Sequence, residues 1–515
     1  MGVVEAKPDS VTAGEFRRRA RLAGFVAAAV ALLALFVASL LSPAVPFAPA
    51  ALGQDIIRAT PVSVSNFFIQ RLGHLAQQML TAGVMLAALF LGGEALFRSS
   101  TERRIRPGVA AIVLGVVAAI AAASANGASI VGVAVVTAAA ACLYVIAARS
   151  SYDSIAGGSP TDEGRRRSLR VGGAWTVGLL AGGGVVAWLA SKLGGPNTNV
   201  SVAQASVKVA GARQGSFPDI PGLTPEVTPA KDHYVVDVDI IDPRVEASTW
   251  KLSVSGLVDK PMVLSFAELQ SRFELVEEYA VLTCISNKVG GNLAGNSIWT
   301  GVRLRDVLNQ AQVKPGAVDL VLRGADSYLD SIPLNRAMDP SVLLAIAQDR
   351  KPLRQEHGFP CRLRIPAIYG MKNVKWLQSI ELVNSDFIGY WQSRGWNDTA
   401  IVHTESRIDV AGNGGSASRG HPTWIAGIAW AGDRGISKVE VSADGGKMWH
   451  QAMLKDAIGP FAWRLWAYRW TPETAGDVQV LCRATDGTGA TQTPRHRDPF
   501  PSGASGYPES QVTVD

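Results

Sequence analysis

Apolar residues are unevenly distributed along this chain: the first 195 positions hold five runs, at 22–41, 79–97, 107–125, 128–148 and 171–190. Each is long enough to cross a hydrocarbon core, which takes about 20 helical residues. Arginines collect between them. Arg17, Arg18, Arg19 and Arg21 precede the first run, Arg98, Arg103, Arg104 and Arg106 separate the second from the third, and Arg149, Arg165, Arg166, Arg167 and Arg170 separate the fourth from the fifth. The 42–78 loop has only Arg58 and Arg71, and the Asn126-Gly127 turn carries no charge. Because cytoplasmic loops carry the excess of Lys and Arg, the pattern predicts a cytoplasmic N-terminus. An odd number of spans then puts everything after position 190 outside. The first run is followed by four more, so it reads as a span rather than a cleaved signal.

Beyond residue 195 the period changes. Pro196, Pro218, Pro221, Pro225 and Pro229 among small polar residues predict an extended linker at 196–230. Short β-like runs follow at 234–241, 250–257, 318–323, 362–365 and 379–383, with helical pieces at 266–273, 304–311 and 334–337. These predict an α+β domain over 231–400. From 401 to 515 the runs 424–432, 436–442, 462–470 and 478–486 alternate apolar with polar residues and are punctuated by turns such as Asp444-Gly445-Gly446. Regularly spaced short strands of this kind predict an Ig-like sandwich. The expected fold is therefore multi-domain: a membrane domain of five transmembrane helices over 1–195, the linker, the α+β domain and an all-β sandwich.

Composition refines the picture in few places. The net charge of +6 in 515 residues is mainly the topology signal and implies no nucleic-acid partner. Glu94 is the acidic side chain at membrane depth, and two readings stand: a functional ionisable group, or a side chain near the span end that reaches the headgroups. A haem-carrying bundle would want paired axial ligands, yet His74 is the only histidine before His233. The four cysteines have no Cys-x-x-Cys spacing, so neither a zinc site nor a disulfide framework is expected.

Cys284 stands apart. It ends an apolar run and opens a Gly/Asn-rich loop, Cys284-Ile-Ser-Asn-Lys-Val-Gly-Gly-Asn. Such a loop lets backbone amides approach a bound group closely, and the thiol reads as a metal ligand. The plainer reading, a buried structural cysteine, suits Cys142, Cys361 and Cys482.

The stretches Ser331-Ile-Pro-Leu-Asn-Arg-Ala-Met-Asp-Pro, His357-Gly-Phe-Pro-Cys-Arg-Leu-Arg-Ile-Pro and Tyr369-Gly-Met-Lys-Asn-Val-Lys-Trp follow in order. Together they resemble the core of the sulfite oxidase family of molybdopterin enzymes, and the resemblance runs from about residue 228 to the end, where the sandwich is similar to the family's dimerisation domain. It implies a molybdenum–molybdopterin cofactor with Cys284 as the protein thiolate on the metal, a role that suits a soft ligand. It implies pterin and phosphate contacts from His357, Arg362, Asn373, Val374 and Lys375, a covering strand from His233 and Tyr234, and an active-site tyrosine at Tyr328. Phosphate recognition needs such fixed donors and positive charge.

The resemblance weakens at the substrate. A family arginine after the Cys-x-x-Asn element is replaced here by Lys288 and Val289, and another falls at Lys231; lysine loses the bidentate fork and valine loses the charge as well. Two directions stay open: oxidation of sulfite, and reduction of an S-oxide or N-oxide. The substrate is expected to be a small oxo compound, with electrons exchanged with a separate carrier or the quinone pool. Arg165-Arg166-Arg167-Ser-Leu-Arg170 resembles a twin-arginine export signal and equally fits ordinary positive-inside charge. An alternative of another class, a non-enzymatic cell-surface binding protein, would use the sandwich and leave Cys284 idle.

Overall fold

The structure, a computed structural model, describes residues 13–42, 45–61, 64, 67–68, 71, 75–100, 105–123, 128–156, 200–209, 217–238 and 242–515. The chain divides into two compact units near residue 195. The N-terminal unit is helical among its described residues, with helices Ala13–Leu41, Ala48–Ala59, Leu75–Arg98, Pro107–Ala123 and Ile130–Ala156. Three contain stretches long and apolar enough to cross a membrane: Phe16–Leu41, Met79–Arg98 and Ile130–Tyr152. Of the expected 107–125 span, the described residues form a 17-residue apolar helix, Pro107–Ala123. The predicted span at 171–190 and the arginines at 165–170 lie outside the described residues.

Small residues set the packing of this bundle. A Cβ on Gly24 would lie 2.6 Å from Gly92 O and 2.7 Å from Gly93 Cα, so the first helix and Leu75–Arg98 touch backbone to backbone. Tyr144 OH donates to Gly92 O at 2.6 Å. Glu94 is ion-paired with Arg21 and Arg98, at 2.9 Å each, near the end of its helix. Of the two readings of this acid, the charge satisfied at a span end is the one this geometry favours.

The cofactor-domain candidate is built from β1 (Lys251–Gly256), β2 (Met262–Ser265), β3 (Leu275–Thr283), β4 (Ala294–Arg303), β5 (Asp319–Gly324), β6 (Leu329–Pro333), β7 (Leu343–Gln348), β8 (Lys351–Pro352), β9 (Arg362–Arg364) and β10 (Leu377–Val383). One sheet runs β2-β1-β10-β5-β6 and the other β3-β4-β7-β8, with β9 pairing β7. A capping box formed by Ser265 and Glu268 starts the helix Phe266–Arg272. Leu252, Leu264, Trp299, Leu322, Leu344 and Trp376, all fully buried, fill the space between the layers.

The strand expected at 234–241 does not form in its described part, since residues 234–238 join no ladder. Side chains hold this segment instead, notably the ion pair of Asp237 with Lys375. Nor is the expected linker a free spacer where it is described. Ser206 N donates to Leu275 O at 3.0 Å, Asn296 Nδ2 and Trp463 Nε1 both donate to Glu226 O, at 2.8 and 2.9 Å, and Lys455 pairs with the Glu226 carboxylate at 2.6 Å.

The C-terminal domain is a β-sandwich of β11 (Glu405–Ala411), β12 (Ser416–Ala417), β13 (Thr423–Trp430), β14 (Ile436–Ser442), β15 (His450–Gln451), β16 (Met453–Leu454), β17 (Arg464–Trp470), β18 (Gly476–Asp486) and β19 (Glu509–Val514). Its sheets run β11-β13-β17-β16 and β12-β19-β18-β14-β15. Ile425, Val439, Trp466, Val480 and Val512 close the interior between them.

Candidate active site

Cys284 follows the last residue of β3, and its loop is folded by its own amides. Cys284 N donates to Leu293 O at 2.9 Å, Asn287 N donates back to Cys284 O at 3.0 Å, and Leu293 N donates to Asn287 Oδ1 at 2.9 Å. Gly290 takes φ +70°, a left-handed turn that glycine adopts without strain. The thiol is buried, with Ser286 Oγ at 3.0 Å, and burial raises its pKa. A thiolate at this position needs a compensating cation, and a bound metal supplies one.

The second component is a cationic cradle around Trp299 in β4. Arg362 and Arg364, two residues apart in β9, lie with their guanidinium carbons 5.4 and 5.8 Å from the indole, and the His233 ring is 6.0 Å away. Arg362 donates to His357 O and Asn373 O at 3.0 Å each, and Arg364 donates to Val281 O at 2.5 Å and Asn373 Oδ1 at 3.4 Å. His233 stacks on Tyr234 at 5.2 Å and meets His357 edge-on at 5.5 Å, and His357 Nε2 sits 2.8 Å from Ala230 O.

Three buried nitrogens in this cradle, His233 Nε2, Arg362 Nε and Arg364 Nε, make no hydrogen bond of good geometry. Buried polar atoms of this kind are costly unless a partner arrives. Burial lowers the arginines to about 10 and about 9 and His233 to about 3, so a group that brings negative charge is favoured here. Gly295 leaves the necessary room: a Cβ there would lie 2.6 Å from the His233 ring. A polar, anionic cofactor fits this donor set.

The 369–375 turn joins the two parts. A Cβ on Gly370 would meet Tyr234 OH at 2.9 Å and Thr283 O at 3.3 Å, so this turn leans on the strand end that carries Cys284. Asn373 Oδ1 accepts from Ile365 N at 2.7 Å, and Val374 O accepts from Leu363 N at 2.8 Å. Lys375 Nζ is bound to Asp237 and to Glu356 O, and lies 4.2 Å from the Trp376 ring centroid. Tyr328 reaches the same turn, its hydroxyl 2.9 Å from Met371 O and 2.8 Å from Asp330 Oδ2.

The structure thus gathers His233, Tyr234, His357, Arg362, Asn373, Val374 and Lys375 around one turn and one indole, with Cys284 and Tyr328 at its margins. It adds four residues beyond those expected from the sequence. Arg364 shares its strand face with Arg362, a period-two signal that was there to be read. Asp330 and Lys372 form a buried ion pair at 3.1 Å. Glu405 of β11 accepts from Tyr369 OH at 3.1 Å and lies 3.5 Å from Asn287 Nδ2 of the cysteine loop.

Residues 239–391 match the family model described as "Oxidoreductase molybdopterin binding domain", and residues 398–498 match "Mo-co oxidoreductase dimerisation domain". Sulfite oxidase of Gallus gallus is 30% identical over 291 residues, covering 47% of this chain and 63% of that protein. Mitochondrial sulfite oxidase of Homo sapiens is 31% identical over 293 residues, covering 47% and 53%. Nitrate reductase [NADH] 1 of Oryza sativa subsp. japonica is 31% identical over 332 residues, covering 52% and 36%. The match therefore spans between about a third and two thirds of these relatives. In fold, the chain is similar to the sulfane dehydrogenase SoxCD of Paracoccus pantotrophus, with a TM-score of 0.51 at 24% identity over 60% of this chain and 90% of the other.

Proposed function

Because the chain belongs, through residues 239–391 and 398–498, to the sulfite oxidase family of molybdopterin oxidoreductases, we propose that it is a membrane-anchored enzyme whose cofactor domain works outside the cytoplasm. It is an oxidoreductase with molybdopterin-bound molybdenum, which removes the reading as a non-enzymatic binding protein. Its reaction is oxygen-atom transfer involving a small sulfur or nitrogen oxo compound. The anchoring is supported by the three apolar helices and by the arginine distribution. Electrons pass to or from a separate carrier or the quinone pool.

The observation that carries this reading is a buried thiol beside a cradle of buried nitrogens without hydrogen-bond partners, the two joined by the 369–375 turn. Cys284 would hold the metal, while His233, His357, Arg362 and Arg364 would hold the anionic end of the pterin, with Asn373, Val374 and Lys375 fixing the turn beneath it. The cofactor supplies the two-electron oxygen-transfer chemistry, and the chain supplies position, charge and exclusion of water.

A second reading, reduction of an S-oxide or N-oxide, is favoured by two features. A carboxyl, Asp330, stands beside the Tyr328 hydroxyl, and Lys288 and Val289 stand in the cysteine loop where the family has an arginine, so the bidentate fork is lost. An anionic substrate gains little from such surroundings.

The test is metal analysis of the detergent-purified chain, followed by paired assays of sulfite with ferricyanide and methionine sulfoxide with reduced benzyl viologen. Near-stoichiometric molybdenum and turnover in one assay support the proposal. Absence of molybdenum after expression in a cofactor-producing host refutes it.

A further inference from the structure

The buried charges behind Tyr328 form a continuous path to solvent. Tyr328 OH lies 2.8 Å from Asp330 Oδ2, Lys372 Nζ lies 3.1 Å from Asp330 Oδ1, and Asp398 Oδ1 lies 2.8 Å from the same ammonium. Asp330 and Lys372 are almost fully enclosed, at 0% and 3% side-chain exposure, whereas Asp398 is 39% exposed. Every step is within hydrogen-bond reach, and the outer end is wet.

The inner end has a proton count that matters. Tyr328 has one hydroxyl proton but faces two oxygens, Asp330 Oδ2 and Met371 O, the latter at 2.9 Å. Both contacts become hydrogen bonds together only when Asp330 carries a proton and donates to the tyrosine oxygen. Burial raises Asp330 toward that form, while Lys372 and the hydrogen bonds from Ser331 and Tyr328 oppose it. The other charged or titratable groups facing this path are Asp326 and Tyr390 beside Tyr328, and Asp319 beside Lys372; Gln392 Nε2 donates to Asp330 at 3.4 Å.

We propose that Asp398, Lys372 and Asp330 form a proton relay between solvent and the Tyr328 hydroxyl, serving the oxygen-transfer reaction. The inference rests on the oxidoreductase reading and on Tyr328 standing at the reacting centre. Loss of an oxygen atom from a substrate as water consumes two protons and two electrons, and the reverse reaction releases the same. The electrons travel through the separate carrier. The protons need their own route through a buried domain: Tyr328 gives its proton to the departing oxygen and is reprotonated by Asp330, which refills from Lys372, and Asp398 refills Lys372 from water.

The holoenzyme tests this first by spectroscopy, which needs no substrate, and then by turnover. Infrared difference spectra recorded as the molybdenum is reduced with dithionite, in ordinary and heavy water, are expected to show a protonated-carboxyl band that Asp330→Asn removes. Turnover of Asp330→Asn in whichever paired assay runs should fall by about 100-fold, the usual scale of general acid–base catalysis, with KM little changed. Asp398→Asn, at the exposed end, tests the path even if the buried variant folds poorly. Its turnover should fall by about 10-fold, lose its pH dependence and be restored by a small weak acid in the buffer.

The outcomes separate. A protein without molybdenum, or a Tyr328→Phe variant with unchanged turnover, removes the reading on which the relay rests. A molybdenum enzyme slowed by Tyr328→Phe, whose infrared spectrum, pH profile and solvent isotope effect ignore Asp330→Asn and Asp398→Asn, overturns the relay alone.

Discussion

Replacing Glu405 by Gln should flatten the pH dependence of stability on the alkaline side of neutrality. The carboxyl is buried, accepts from Tyr369 OH at 3.1 Å and has its pKa pushed from 4.5 up to about 8 by burial. The folded chain therefore holds this proton more tightly than the unfolded chain does. That contribution is complete below the ordinary carboxyl range and is lost as pH rises through about 8. Between about pH 6.5 and 8 the linkage amounts to roughly 1.6 kcal/mol, since each tenfold difference in proton affinity between the folded and unfolded chain is worth about 1.4 kcal/mol.

The window matters because His233 and His357 act in the opposite sense. Both have lowered pKa values, His233 to about 3, so their contribution grows as pH rises and is complete once an unfolded histidine has lost its proton, above about pH 6.5. Glu278, raised to about 7, also titrates in the window but is present in both proteins and cancels in the comparison. The assay is thermal unfolding of the detergent-solubilised full chain, wild type and Glu405→Gln, at both ends of the window. Wild type should lose about 2 °C more than the variant, because a folding unit of this size has a large unfolding entropy. Equal slopes would refute the reasoning, because they would mean that Glu405 is already ionised at neutral pH and that burial does not dominate its environment.

Cys284→Ser should lower molybdenum-dependent turnover by at least about 100-fold while leaving the unfolding temperature nearly unchanged, since the sulfur's hydrogen-bond contact among the described residues is with Ser286, which a serine hydroxyl can also reach; wild-type activity would remove the ligand assignment. Arg364→Gln should cost about 1–3 kcal/mol through the stranded Val281 carbonyl and reduce pterin retention by about 10–100-fold, measured as released pterin fluorescence per mole of protein. Reporter fusions after residue 190 should be active only outside the cytoplasm, and fusions within 150–163 only inside; the reverse pattern would overturn the localisation. If Arg166 and Arg167 are read by an export receptor, changing both to Lys should strand the cofactor domain inside, because the charge survives and the guanidinium shape does not. Protease accessibility in spheroplasts reports the outcome, and full accessibility speaks for charge alone.

The alternating strand β14 is legible in the sequence, and the enclosed strands β3 and β4 are not. β14 reads Ile-Ser-Lys-Val-Glu-Val-Ser, and the alternation exposes its two faces to inspection. β3 and β4 are enclosed almost throughout, so neither shows a period of two, and β4 carries buried Asn296 and Ser297 that look like loop residues until their partners Glu226 and Gln348 are in place. The run at 234–241 had the opposite fault: it has strand-like residues but no strand beside its described part. In the candidate site, most residues expected from continuous motifs are in place, whereas Lys372 and Glu405 matter through neighbours distant in the chain. Periodicity carries no signal for such contacts.

Glu405 lies in β11 of the sandwich, yet its carboxyl meets the cysteine loop at Asn287 and the central turn at Tyr369. The domain boundary near residue 400 is therefore not a seam at which homologous modules can be exchanged freely. A chimera that joined this cofactor domain to a sandwich from a relative would need a side chain of matching reach and proton affinity at position 405, or compensating changes at 287 and 369. Recombination between such genes would be expected to inherit these three positions together, although the first and last of them are 118 residues apart in sequence.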